Sequence, residues 1–246
     1  MSSYHLSIKS GKKGKAVEHA TYIAREGKHG KAKQSDLIVT VHGNLPPFAN
    51  GDPIAFWRAA DMYERANGAA YREYELALPQ ELSTEQQLAL LNEFIKEKIG
   101  DKPYQFAIHS PVAALGGVKQ PHGHLMVSDR KPDGIERPAE LHFKRFNAAN
   151  PELGGCKKDS GGKDHATLRE ELIATRATWA KIQNSSLEMH GHDGDLDHRS
   201  NKERGIDREA ERHLGYVGIK KMSDESKVHY VSKRQSKPNT QRQRTV

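Results

Sequence analysis

The chain has 246 residues, enough to bury one large core or two small ones, and its 35% hydrophobic and 29% charged content suits an α/β body with exposed polar segments. No apolar run nears the roughly 18 residues that span a bilayer, no signal-peptide core follows Met1, and the single Cys156 excludes an intrachain disulfide, so a cytoplasmic protein without membrane insertion is expected. Most of the net charge of +7 lies in residues 217–246, where eight Lys and Arg face only Asp224 and Glu225, so composition argues only weakly for a polyanionic partner.

Tyr4 to Lys9 alternates as a strand, and the Gly/Lys-rich turn Gly11 to Lys15 leads to a helix from Ala16 to Glu26 with Gly27 as its stop. Asp36 to His42 reads as a second strand. Pro53 opens a helix from Ile54 to about Ala66, ended by Asn67-Gly68. Tyr71 to Leu78 is a third strand, and Ser83 caps a helix running to about Ile99 before Gly100. Two further strands, Tyr104 to His109 and His122 to Ser128, flank a turn-rich segment with Pro111, Gly116 and Gly117. An irregular Gly/Pro-rich region follows, then a long helix from about Asp164 to His190 and a polar tail expected to lack structure. The pattern predicts an α/β two-layer sandwich, with a largely antiparallel five-stranded central sheet and flanking helices. Strict βαβ alternation and a phosphate-binding glycine loop are both missing, which argues against Rossmann and P-loop readings.

The chemistry concentrates on the last two strands. In a strand His122 and His124 share one face, and Gly123, Leu125 and Val127 take the other. If Tyr104–His109 pairs antiparallel with them, His109 joins the same face. From spacing alone, three imidazoles serve equally as a metal platform or as hydrogen-bonded sheet residues. Glu73 and Glu75 share a face of the third strand, fit either for proton transfer and support of a metal-bound histidine or for plain solvation. Tyr22, off any clean apolar stripe of the first helix and three residues before Arg25, could act as a nucleophile, although a helix taken alone favours a structural tyrosine. His190, His192, His198 and His213 have no ligand spacing.

Taken together, Tyr4-His5-Leu6, Ala20 to Gly27, Tyr63 to Gly68, Glu75 to Pro79, Pro121 to Ser128, Gly134 to Pro138, Phe143-Lys144-Arg145 and Asp197-His198-Arg199 closely resemble, in order, the MobA/MobL family of plasmid mobilisation relaxases. The resemblance runs to about Gly215 and implies a relaxase domain over residues 1–216, with a basic tail over 217–246. It implies a single-tyrosine enzyme of the His-hydrophobic-His class that nicks and rejoins one DNA strand at an origin of transfer through a 5′-phosphotyrosyl intermediate. Gly123 departs from the bulky middle residue of that motif.

Carried over by motif, Tyr22 is the nucleophile and His109, His122 and His124 hold the metal, with Mg²⁺ or Mn²⁺ implied by the resemblance and Zn²⁺ also suited to imidazoles. Glu75, ahead of Glu73, is the candidate proton acceptor or support. Arg25, Arg137, Lys144, Arg145, Lys157 and Lys158 are candidate DNA contacts, with His142, Phe143 and Phe146 as surfaces for unstacked bases. Implied partners are single-stranded origin DNA, plasmid accessory proteins of the relaxosome and type IV secretion coupling machinery. A rolling-circle replication initiator is the nearest alternative, disfavoured because Tyr22 precedes the histidine motif; a non-catalytic single-stranded DNA-binding protein is the other.

Overall fold

The computed structural model describes residues 4–30, 36–113, 115, 117–207 and 215–235. It divides into two compact units, one comprising residues 1–111 and 120–198, the other residues 112–119 and 199–246. In the first unit, strands β1 (Leu6–Lys12), β2 (Leu37–Gly43), β3 (Ala69–Ala77), β4 (Tyr104–His109) and β5 (His122–Val127) form one sheet in the order β1-β3-β5-β4-β2. Every neighbouring pair is antiparallel, as the alternating patterns predict.

Helices flank both faces of the sheet. On one face α3 (Thr84–Phe94) and α5 (His165–Met189) bury Leu90, Leu91, Phe94 and Trp179 against Leu76, Phe106, Ile108 and Leu125. Ser83 and Gln86 form a reciprocal capping box at the start of α3, which continues through a π-turn at Ile95–Ile99 until Gly100 breaks it at φ 61°. On the other face α1 (Ala16–Ile23) and α2 (Pro53–Tyr63) pack Ala16, Ala20, Ile23, Phe56, Trp57 and Ala60 onto Ala107 and Met126.

Three boundaries differ from the sequence reading. β1 continues through Gly11, where the Tyr71 ring occupies the space a side chain would need: a Cβ there would lie 1.9 Å from Tyr71 Cε1. α1 ends at Ile23 rather than Glu26, because Arg25 takes the left-handed conformation (φ 55°) with its side chain hydrogen-bonded inward. The region read as wholly irregular contains the short helix α4 (Ala139–His142) and is pinned by Arg130, which pairs with buried Glu64 at 2.9 Å and donates to the carbonyls of Phe143, Lys144 and Cys156. Satisfying that many backbone acceptors from one guanidinium substitutes for regular secondary structure.

The second unit contains a bridge between Val112 and Lys119, and the helices α6 (Gly215–Lys221) and α7 (Asp224–Gln235). These helices lie where the tail was expected to lack structure. Ser223 caps α7 by accepting from Ser226 N, and Asp224 and Glu225 occupy its first turn. Residues 236–246 of the tail lie outside the described residues. No helix among the described residues is long and apolar enough to cross a membrane.

Burial of one histidine gives the fold an acid-sensitive point. His142 is buried among Phe48, Phe56 and Phe143, and its Nε2 lacks a hydrogen-bond partner. Desolvation, aided by nearby Arg130 and Arg137, lowers its pKa from 6.5 to about 4. The unfolded chain therefore binds more protons between these values, so stability is full above pH 6.5 and falls as the medium is acidified toward pH 4. The expected loss by pH about 5 is about 2 kcal/mol. Urea melts across this range check it: His142→Leu should remove its share of the slope and leave that of His109 and His122, which burial also lowers.

Candidate active site

β4 and β5 place His109 opposite His122, and Ala107 opposite His124. The three imidazoles converge as the pairing predicts: one ligand nitrogen from each lies within 4.8 Å of the others, and ring centroids are 5.0 to 5.7 Å apart. Among the described residues this is the one group of three potential ligands. His122 Nδ1 donates to Gln120 O at 2.9 Å, and His124 Nδ1 donates to Glu73 Oε1 at 2.7 Å. Both contacts leave Nε2 with a free lone pair, the state a metal ligand needs. Burial lowers the His109 pKa to about 4 and pulls His122 down as well, so both are neutral near pH 7. His109 has both nitrogens engaged: Nε2 meets Ile23 O at 2.7 Å and Nδ1 meets Arg25 Nη2 at 2.8 Å. Ligating an ion through His109 requires one of these two contacts to give way.

The missing apolar side chain at Gly123 is made good from the other element. Leu91 of α3 fills the space, its Cδ1 lying 3.2 Å from where a Cβ would be. Gly123→Ala should therefore cost no more than about 1 kcal/mol, since the end of a leucine can shift, whereas Gly123→Leu overpacks the same spot and should cost about 1 to 3 kcal/mol. Chemical denaturation of the two variants tests this.

Tyr22 lies in the last turn of α1 and is 37% exposed. The carbonyl of the next residue, Ile23, is the one that touches His109, and Arg25 reaches His109 from the same helix end. The Arg25 guanidinium also lies 4.8 Å from the Tyr22 ring centroid and donates to the Tyr22 carbonyl. His29 meets the ring edge-on at 5.4 Å, and His19, one turn earlier, stacks at 6.1 Å.

Several expected site residues occupy other positions. Glu75 lies across the sheet from His124 but bonds elsewhere: it pairs with Lys9 at 2.6 Å and accepts a long bond from Ser7. Glu73 supports the platform instead, bridging His124 and His19 Nε2, the latter at 2.8 Å. Burial opposes its ionisation, but the hydrogen bonds from His124 and His19 hold its pKa at about 2. His19 was missed, although its place three residues before Tyr22 on one helix face was the available signal.

Arg25, Arg137 and Lys158, expected at DNA, have their donors committed inside the protein. Arg25 is 6% exposed and forks onto Asp36; Arg137 is 4% exposed and holds Asp133, Gly154 O and Pro151 O; Lys158 bonds Ala69 O and pairs with Glu64. His142 and Phe143 are buried too, so neither offers a stacking surface. Lys144, Arg145 and Lys157 are exposed, and Phe146 is partly so. In the second histidine group, His190 bonds Ser186 O, His198 lies near Asp197, and His213 is outside the described residues.

A five-stranded antiparallel sheet with flanking helices is the fold the resemblance implies, and here it carries three convergent imidazoles with the Tyr22 helix bonded directly to one of them. The comparisons agree. The MobA/MobL family profile matches residues 15–224, and the chain belongs to that family. It is 49% identical over 210 residues to the "43 kDa relaxation protein" of Salmonella typhimurium and 43% identical over 220 residues to "Mobilization protein A" of Escherichia coli. These alignments cover 85% and 87% of this chain but 57% and 30% of those proteins, so the chain spans only part of their length. A solved structure described as "Molecular Basis of Vancomycin Resistance Transfer in Staphylococcus aureus" has the same fold, with a TM-score of 0.57 at 20% identity, covering 80% of this chain and 99% of that one.

Proposed function

We propose that the chain is the strand-transferase part of a relaxase, nicking and rejoining one DNA strand at an origin of transfer to start plasmid mobilisation. The observation that carries this reading is the direct bonding of the Tyr22 helix to the three-histidine platform through Ile23 O, Arg25 and His109. Family membership, with relatives named as relaxation and mobilisation proteins, supports it.

In this reaction Tyr22 Oη attacks the scissile phosphorus, the phosphorus to O3′ bond breaks, and the leaving oxygen takes a proton to become a free 3′-hydroxyl. The new 5′-phosphotyrosyl ester keeps the energy of the old one. Attack by a 3′-hydroxyl then reseals the strand without a nucleotide cofactor. The donor set fits a divalent ion: three imidazoles converge on one face of a sheet, one of them oriented by a carboxylate. Held by His109, His122 and His124, such an ion supplies charge neutralisation at the non-bridging phosphate oxygens. Mg²⁺ or Mn²⁺ is the working ion in this proposal. Glu73 orients His124, Arg25 fixes the turn that bears Tyr22, and Lys144, Arg145 and Lys157 are the cations available to the DNA backbone. Origin single-stranded DNA, relaxosome accessory proteins and the type IV coupling machinery are the proposed partners.

The test incubates the chain, with Mn²⁺ or Mg²⁺, with short single-stranded oligonucleotides tiling both strands of the DNA around its own gene. A covalent adduct mapped by mass spectrometry to Tyr22, lost with EDTA, is expected. Binding without an adduct would establish the non-catalytic alternative.

A further inference from the structure

α1 has no N-cap of its own. Lys15, at the cap position, has φ −121° and ψ −5° and makes no side-chain capping bond. The free N–H groups are taken instead by Asp61, a residue of α2. Its Oδ1 accepts from Gly14 N at 2.7 Å and Ala16 N at 2.9 Å, and its Oδ2 accepts from Val17 N at 2.9 Å. A single carboxylate thus closes three backbone donors at the positive end of the helix, each bond charge-assisted.

The packing beneath α1 makes this attachment matter. Ala16 and Ala20 are fully buried in the same cluster as Ala59 and Ala60 of α2. Ile23, Phe56 and Trp57 belong to the same cluster, but the alanines themselves present no large side chains as ridges to fix one helix along the axis of the other. Polar contacts along α1 therefore help to set its axial position: Asp61 at the start, Glu73 on His19 in the middle, and Arg25 with Asp36 and His109 at the finish. One residue of axial slip moves a helix by about 1.5 Å. A misplacement of about 1 Å can cost roughly 100-fold in rate.

We propose that Asp61 is a positioning residue for strand transfer: it anchors α1 to α2 and thereby sets where Tyr22 stands relative to the histidine platform. The inference rests on the transesterase reading above. Asp61 acts through the backbone of Gly14, Ala16 and Val17.

The experiment compares wild type, Asp61→Ala, Asp61→Asn and the double variant Asp61→Ala/Lys15→Ser, whose serine can supply a local cap. Asp61→Ala should lower single-turnover kcat about 30-fold with KM for the oligonucleotide and Mn²⁺ affinity within about 2-fold of wild type. Asp61→Asn retains an oxygen for Gly14 and Ala16 and should recover part of the rate; should the alanine variant fail to fold, a kcat loss confined to this asparagine variant supports the proposal. The double variant should regain thermal stability without regaining cleavage. Cleavage by Asp61→Ala within about 2-fold of wild type, or its rescue by the local cap, overturns the proposal, since a cap is then all that Asp61 provides. The imidazole NMR signals of His109 supply a readout independent of catalysis. If wild type forms no adduct, the reaction assignment fails, and the proposal is decided by whether Asp61→Ala perturbs the His109 to Ile23 contact; unchanged signals overturn it.

Discussion

Tyr22→Phe is expected to abolish the covalent DNA adduct and to lower strand cleavage more than about 1,000-fold, with single-stranded DNA affinity changed less than about 3-fold. Phenylalanine keeps the ring that Arg25 and His29 contact and removes only the nucleophilic oxygen. Because the residue is 37% exposed, folding should be little affected, and a matching melting temperature shows that the loss is chemical. The other tyrosines differ physically. Burial pushes the Tyr71 phenol up to about 12 and raises Tyr4 and Tyr74 as well, which leaves them poor phenolate sources. Tyr63 is 39% exposed at the end of α2, so Tyr63→Phe is the matched control and should cleave as wild type. An adduct that persists in Tyr22→Phe and disappears in Tyr63→Phe would reassign the nucleophile.

The sheet and the platform were legible in the sequence because both follow from a period of two. Alternation places His122 and His124 on one face whatever packs around them, and the turn between β4 and β5 brings His109 opposite. Which glutamate serves the platform was not legible. Glu73 and Glu75 share a face, and the register puts Glu75 directly across from His124. Lys9 on β1 nevertheless draws the Glu75 carboxylate away, and His19 of α1 draws Glu73 in. Both attractions come from elements distant in sequence. Arg25, Arg137 and Lys158 bond inside the protein for a related reason. Arginines among glycines resemble a phosphate-binding surface, yet Arg137 serves loop carbonyls that have no strand or helix to satisfy them. The anchoring of α1 by Asp61 left no local trace either, since a cap supplied by another helix has no sequence spacing.

The platform should respond to substitution in a graded order that separates ligands from their support. Replacing His109, His122 or His124 with Ala is expected to lower divalent metal affinity more than about 100-fold, because two imidazoles cannot enclose an ion that three converge on. Glu73→Gln should cost about 10 to 100-fold, since Gln cannot hold the His124 imidazole with a charge. Glu75→Gln should change metal affinity less than about 3-fold, because its carboxylate is bonded to Lys9. Among the ligands His109 has a further distinction. Its nitrogens are bonded to Ile23 O and Arg25, so His109→Ala also cuts the tie to the Tyr22 helix. Raising the metal concentration should thus restore more cleavage to His122→Ala than to His109→Ala. Calorimetric titration with Mn²⁺, read beside cleavage at saturating metal, tests the series. Equal effects for Glu73→Gln and Glu75→Gln would remove Glu73 from its supporting role, and equal rescue of the two histidine variants would uncouple the helix from the platform.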